Sequence, residues 1–390
     1  MSSNRETLIT RILYNPAVLD AIFSFSTPGT IIRLAMTCRR VREAMLSYFR
    51  AAFNINRHLS RFFPDPIAFR QLQARTASLI AGSNALQFFE RTIYPEADLD
   101  LYVYPRSAGE VGRFLLEIGY QFKPASTQNL DFETALVEDR VATSFQYPGP
   151  IHDIFQFVKE SAGDGDEELK IEIVSSRMPF ASCVMNVISY EKAYSLYPLA
   201  TFETRISFLC TKDAARRQMA IKKYTPRGWT VSAGKRKLGK RACLHLSFRR
   251  GVRSLNDRHT WGIPLNTVGI TAESSTPDTL GRTCDPVVAS RWQFNDIKMR
   301  FSRQERTPFF PLGIGSSFFQ FAYVIDDAIL MEAALRFKFL ILLSWFHWLF
   351  PILLPSTLAP GKFYDAEFIQ FCQDYEAGRT SQTDGRPRSE

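Results

Sequence analysis

The stretch Leu79-Ile80-Ala81-Gly82-Ser83, followed after fourteen residues (Asn84–Ala97) by Asp98-Leu99-Asp100-Leu101-Tyr102-Val103, decides how the rest of the chain is read. Leu79–Ala81 is a short apolar run that stops at Gly-Ser. Leu86, Phe88 and Phe89 then recur with helical spacing across Asn84–Arg91. Asp98–Val103 alternates polar and apolar residues, the period of a half-buried strand, so Asp98 and Asp100 share a face. Carboxylates two residues apart on one strand repel each other unless a cation sits between them. Oxygen ligands of this kind suit Mg²⁺, which fills its other positions with water and substrate phosphate. Gly82-Ser83 opens the intervening helix, where unpaired backbone N–H groups can receive a phosphate. A tight turn followed by a solvated strand face is the other reading of the same residues.

A second alternating run, Leu169-Lys170-Ile171-Glu172-Ile173-Val174, puts Lys170 and Glu172 on one face. If this strand lies beside Asp98–Val103, Glu172 becomes the third carboxylate and Lys170 neutralises it or contacts phosphate. An ordinary ion pair on the sheet face is the alternative.

Gly-Ser at a strand-to-helix turn with Asp-x-Asp on the next strand resembles the signature of the nucleotidyltransferase superfamily, the polymerase-beta-like fold. The resemblance implies that Gly82 and Ser83, with Lys170, hold a nucleoside triphosphate. It also implies that Asp98, Asp100 and Glu172 bind Mg²⁺ and carry catalysis. Glutamate at 172, where the family usually has aspartate, is a departure.

Upstream, residues 6–56 read as short helices. Leu8, Ile12 and Leu13 share one face, and Pro16 suits a helix start. Val18, Leu19, Ile22 and Phe23 make another apolar face, and Thr27-Pro28-Gly29 breaks the chain. Ile31, Ile32, Leu34, Ala35 and Cys38 form a third face, and Val41, Met45, Leu46 and Phe49 a fourth. The order from Pro16 to Val41 resembles a degenerate F-box, with Asn15-Pro16 for the usual Leu-Pro and Val41 near the place of a common tryptophan. That likeness implies docking on a Skp-type adaptor of a cullin ubiquitin ligase through residues 6–56; a plain helical cap is the alternative. With Lys170–Phe202, the chain resembles fungal proteins that join an F-box-like N-terminus to a nucleotidyltransferase-like domain.

The expected organisation is therefore α+β: an F-box-like helical module (6–56), a linker helix (57–75), a mixed-sheet nucleotidyltransferase-like domain (76–208) and a basic C-terminal region (209–335). Within the third unit, Ser107 and Glu110 form a capping box for a helix that Gly119 ends. Ala142–Tyr147 and Ile154–Lys159 read as strands, Gly163–Glu168 as an acidic hairpin tip, and Pro179–Phe202 as a helix-turn-helix-like element. Between 211 and 259 lie fifteen lysines and arginines and two aspartates, a local charge of +13 against +9 for the whole chain. This suits an anionic partner or nucleic acid at 212–258, with Lys235–Arg241 as a nuclear signal or phosphate-contacting loop. A solvated basic loop is the alternative. Trp261 and Trp292 are expected to anchor a small second subdomain, and Phe318–Leu335 to be helical.

Phe339–Leu354 is sixteen residues without formal charge, a length approaching a membrane span, and the uncharged stretch continues to Gly361. Pro351 and Pro355 interrupt them, and the 336–361 segment reads as a buried helix, a membrane anchor or translated non-coding sequence. Asp365–Tyr375 is amphipathic, and 376–390 is expected to be disordered. Six scattered cysteines without a Cys-x-x-Cys argue against a zinc site or a disulfide framework. With no apolar segment at the N-terminus, the expected compartment is cytoplasmic or nuclear.

Overall fold

A computed structural model describes residues 15–143, 151–160, 168–176, 185–208, 214–232, 248, 252–271, 285–293, 312–314, 323–325, 330, 332, 335 and 364–384. It is a mixed α/β structure around a mixed sheet. Three helices come first: α1 (Pro16–Ser24), α2 (Pro28–Ala35) and α3 (Arg39–Ala52). Proline opens both α1 and α2, where its missing N–H costs nothing, and Asn15 and Thr27 cap them. Thr27-Pro28-Gly29 thus starts a helix as well as ending one. Leu19, Phe23, Ile31 and Val41 bury a small core of their own.

The C-terminal half of α3 leaves that core. Phe49 and Phe53 pack edge-on at 5.1 Å, and Phe53 meets the Trp261 ring at 5.7 Å. After α4 (Ile55–Leu59) and α5 (Pro66–Thr76) comes the central unit: β1 (Leu79–Ala81), α6 (Gly82–Glu90) and β2 (Leu99–Val103). Then follow α7 (Ala108–Glu117), β3 (Gln121–Lys123), α8 (Phe132–Thr143), β4 (Ile151–Glu160) and β5 (Glu168–Ser176). The expected strand at Ala142–Tyr147 is corrected: Ala142 and Thr143 close α8, and 144–147 lie outside the described residues. The acidic tip between β4 and β5 also lies outside them, apart from Glu168, which pairs with Glu160. Neither half of the capping box forms: Ser107 has helical and not extended backbone angles and makes no side-chain cap, and Glu110 pairs with Arg75 at 2.7 Å.

Pro179–Phe202 is corrected too. Its described part is a hairpin of β6 (Asn186–Ile188) and β7 (Lys192–Ser195), followed by a π-helical turn at Leu199–Glu203. The β-branched Val187 and Ile188 and the aromatic Tyr194 favour extended backbone, and burial on both faces hides the alternation that marks an exposed strand. Next come β8 (Ile206–Phe208), α9 (Ala214–Tyr224), β9 (Thr230–Ser232), β10 (Val252–Ser254) and β11 (Trp261–Pro264). The last described elements are β12 (Arg291–Gln293), β13 (Leu312–Ile314), β14 (Tyr323–Ile325) and α10 (Asp365–Asp384). Tyr323–Ile325 is therefore a strand within the stretch expected to be helical. Helix α10 continues nine residues into the tail expected to be disordered, because its buried face (Phe368, Ile369 and Cys372) anchors it to the second core.

The main sheet runs β11-β7-β6-β1-β2-β5-β4-β3, and its β2–β5 pair is parallel. Trp261 belongs to this sheet, where β11 pairs with β7, so it does not anchor a separate subdomain. The sheet consequently extends past the boundary expected at 208. On one face, Leu99, Leu101, Ile171, Ile173, Phe155 and Phe157 are wholly buried against α7 and α8. Two arginines tie the layers. Arg91, at φ 57 after α6, donates to the carbonyls of Phe23 and Ser26 and to the Tyr48 hydroxyl. Buried Arg70 donates to Asn56 Oδ1 and to the carbonyls of Asn266 and Tyr190. Among the described residues no helix is long and apolar enough to cross a membrane, and 339–361 lie outside them.

Phe89 is wholly buried, with its ring 5.2 Å from Trp261 and 5.8 Å from Phe202. Phe89→Ala is expected to cost about 3–5 kcal/mol, read as a lower urea midpoint. Phe25→Ala, at a site 95% exposed, is expected to change stability by less than about 0.5 kcal/mol.

Candidate functional site

The β1–α6 turn is built on Gly82. Its φ of +63 is left-handed, and a Cβ there would overlap the Asp100 carboxylate. Only glycine lets Asp100, opposite Ala81 in the β1–β2 ladder, lie against the start of α6. No side chain caps that helix. Ser83 in its first turn is buried, and its Oγ has no hydrogen-bond partner among the described residues. His58 Nε2 meets Asn84 Oδ1 at 2.8 Å in the same turn, and burial lowers the His58 pKa, which keeps the ring neutral.

Strand β5 does lie beside β2, with Asp100 directly opposite Glu172. Asp98 immediately precedes β2. Lys170 lies between the outer carboxylates, with Nζ 2.6 Å from Glu172 Oε1 and 3.2 Å from Asp98 Oδ2. Burial lowers the Lys170 pKa, but Glu172 and Asp98 outweigh it and hold the ammonium above the ordinary lysine value. Asp100 is pushed up to about 7, first by burial, then by the charge of Glu172 and, more weakly, of Asp98. Lys223, on α9, pulls it partly back, as does Lys170.

Lys223, exposed on α9, acts on Asp100 by its charge alone, and only the basic composition of its helix signalled it. Helix α9 is held here by Arg227, which pairs with Glu96 and stacks 3.9 Å over the Tyr94 ring in the α6–β2 connection. The basic run Lys235–Arg241 lies outside the described residues.

Among the described residues, no group of three or more His, Cys, Asp and Glu side chains is arranged to hold a metal ion. Within the Asp98, Asp100 and Glu172 set, Lys170 engages both Asp98 and, more closely, Glu172, while Asp100 lies directly opposite Glu172 in the ladder and is not paired with Lys170. Two carboxylates fit the way Mg²⁺ binds together with substrate phosphates. Burial first, and then the charge of Glu172, raises the Asp100 pKa, and a bound cation would offset the second of these. Comparisons with protein-family models, curated proteins and solved structures find no match to this chain.

Two measurements test this geometry. Gly82→Ala is expected to destabilise by more than about 1 kcal/mol from the left-handed backbone alone. The cost should be smaller in an Asp100→Ala background, where the overlap is relieved. Equal costs in both backgrounds would show that residue 82 does not touch Asp100. Second, a carboxylate whose folded pKa is raised binds more protons folded than unfolded. Stability is then fullest below about 4 and is lost as pH rises toward about 7. Asp285, also buried and pushed up to about 7, adds a slope of the same sign. Asp100→Asn is therefore expected to flatten the decline between pH 4 and 7 without abolishing it, in urea melts across pH.

Proposed function

We propose that this chain binds a nucleoside triphosphate at the Gly82-Ser83 turn and transfers its nucleotidyl group to a hydroxyl acceptor. The observation that carries the reading is the convergence at one end of the sheet of a glycine-only turn, an uncapped helix start and facing carboxylates on parallel strands. The first N–H groups of α6, which no N-cap side chain covers, and the buried Ser83 hydroxyl donate to phosphate oxygens. Lys223 and Lys170 offset the charge that the triphosphate brings. The acceptor hydroxyl oxygen bonds to the α-phosphorus, its proton passes to water, the bond from the α-phosphorus to the bridging oxygen breaks, and pyrophosphate leaves. Asp100 and Glu172 would hold Mg²⁺, which on binding supplies charge neutralisation for the attacking and leaving oxygens. Asp100 must release its proton to act as a ligand, so loading tightens as pH rises through about 7. An anionic acceptor, nucleic acid included, suits the basic 212–258 stretch.

A second reading, an F-box-type substrate adaptor that docks a Skp-type protein, is favoured by one observation. Phe25 and Met36, at the ends of α1 and α2, are 95% and 81% exposed. Deleting residues 1–56 is a poor test of it, because Phe49 and Phe53 belong to the main core. Phe25→Ser/Met36→Ser removes the exposed apolar surface and leaves that core intact.

Thermal unfolding with Mg²⁺ and each nucleoside triphosphate separates the two. A ligand at a hundred times its Kd stabilises by about 2.7 kcal/mol. The expected result is a metal-dependent rise in Tm with at least one nucleotide, lost in Asp98→Asn/Asp100→Asn and kept in Phe25→Ser/Met36→Ser. No rise with any nucleotide, together with capture of a Skp-type protein that Phe25→Ser/Met36→Ser abolishes, establishes the adaptor instead.

A further inference from the structure

Away from the carboxylates, a cavity of about 370 Å³ lies in the seam between α2 and the main sheet. Its wall is apolar on both sides of the seam: Ile32 from α2, Leu199 and Phe202 from the π-helical turn, and Trp261 from β11. The Phe202 and Trp261 rings meet edge-on at 5.8 Å, and Trp261 is backed by Phe53 and Phe89, so this wall is rigid. The volume falls within the range of small-molecule sites.

The charged residues of the lining divide unequally. Glu203 is fully engaged in holding α2: Oε1 accepts from Gly29 N–H at 2.9 Å, and Oε2 from the Thr27 hydroxyl at 2.9 Å, with Arg33 at 3.5 Å. Asp257, beside the cavity, is engaged by Arg253 and by the His259 N–H. Arg258 is exposed, and its Nε–H donates to His259 Nε2 at 3.3 Å. Among the described residues no carboxylate pairs with it. The lining therefore offers an apolar chamber, a guanidinium with no acidic counterpart, and no acidic group left over.

We propose that this cavity is a binding site for a small amphipathic carboxylate, an aliphatic or aryl acid whose apolar body fills the chamber and whose carboxylate pairs with Arg258. Because Ile32 and Leu199 come from opposite sides of the seam, the bound acid bridges α2 to the sheet and tightens the docking of the helical module. The site is independent of the nucleotide reading, since none of its lining residues belongs to the carboxylate cluster.

Octanoate and 4-phenylbutanoate serve as probes on the full chain, with octanamide as the uncharged control, by calorimetry and thermal unfolding. The expected result is saturable binding of at least one acid below about 1 mM, with a rising Tm. Arg258→Ala should weaken it about tenfold or more. Leu199→Trp, at a half-exposed position that tolerates a larger side chain, should block it without unfolding the protein. Hydrogen exchange at 28–35 should slow when the acid is bound. Absence of binding by both acids, equal affinity for octanoate and octanamide, or unchanged binding in folded Leu199→Trp would each overturn the proposal.

Discussion

A carboxylate oxygen of Asp100 occupies the space in which any side chain at residue 82 would begin. That single exclusion joins the two halves of the site. It forces glycine into the β1–α6 turn, brings the start of α6 onto the edge of β2, and fixes where the sheet presents its charged face. The parallel pairing of β2 with β5 then delivers Glu172 opposite Asp100 without any further device. The desolvation that raises Asp100 follows from the same close approach, since backbone lies where water would otherwise be. Lys170 balances Glu172 and Asp98 from within the same strand, two residues along β5 from Glu172, while Asp100 is offset in part from α9 by Lys223.

What could be read from residues alone was what local periodicity encodes. Alternation over Asp98–Val103 and Leu169–Val174 marked two strands that are each buried on one face, and the Gly82 turn marked the break between β1 and α6. The neighbourhood of β2 and β5 was a condition attached to that reading, and only the sheet order satisfies it. Where burial is two-sided, periodicity disappears: Asn186–Ile188 and Lys192–Ser195 are short and covered on both faces, and they looked like helix-packing residues. Where a side chain has two suitors, local rules fail as well. Glu110 had the spacing of a capping residue but pairs with Arg75, which is distant in sequence. Trp261 was legible as an anchor but not for which core, because β11 reaches β7 over some seventy intervening residues.

Charge shows the same contrast between composition and placement. The excess of lysine and arginine after residue 211 was legible as composition, without saying where any of those charges would sit. The Arg227 contacts with Glu96 and Tyr94 bring one helix of that region over the α6–β2 connection, so that Lys223 acts on Asp100. The basic segment is thus partly internal to the fold. Some of its positive charge answers the acidic face of the sheet.

The aromatic seam around Trp261 sets an order on biosynthesis. Phe49, Phe53 and Phe89 all pack on a ring that leaves the ribosome about two hundred residues after Phe53, a wait of roughly 10–40 s at ordinary elongation rates. Throughout that interval the nascent chain carries an unfilled aromatic notch and a sheet ending at β7 with an open edge, which invites pairing with other chains. The N-terminal helices therefore cannot finish docking while they are being made. Until β11 arrives, the notch and the β7 edge stay exposed together.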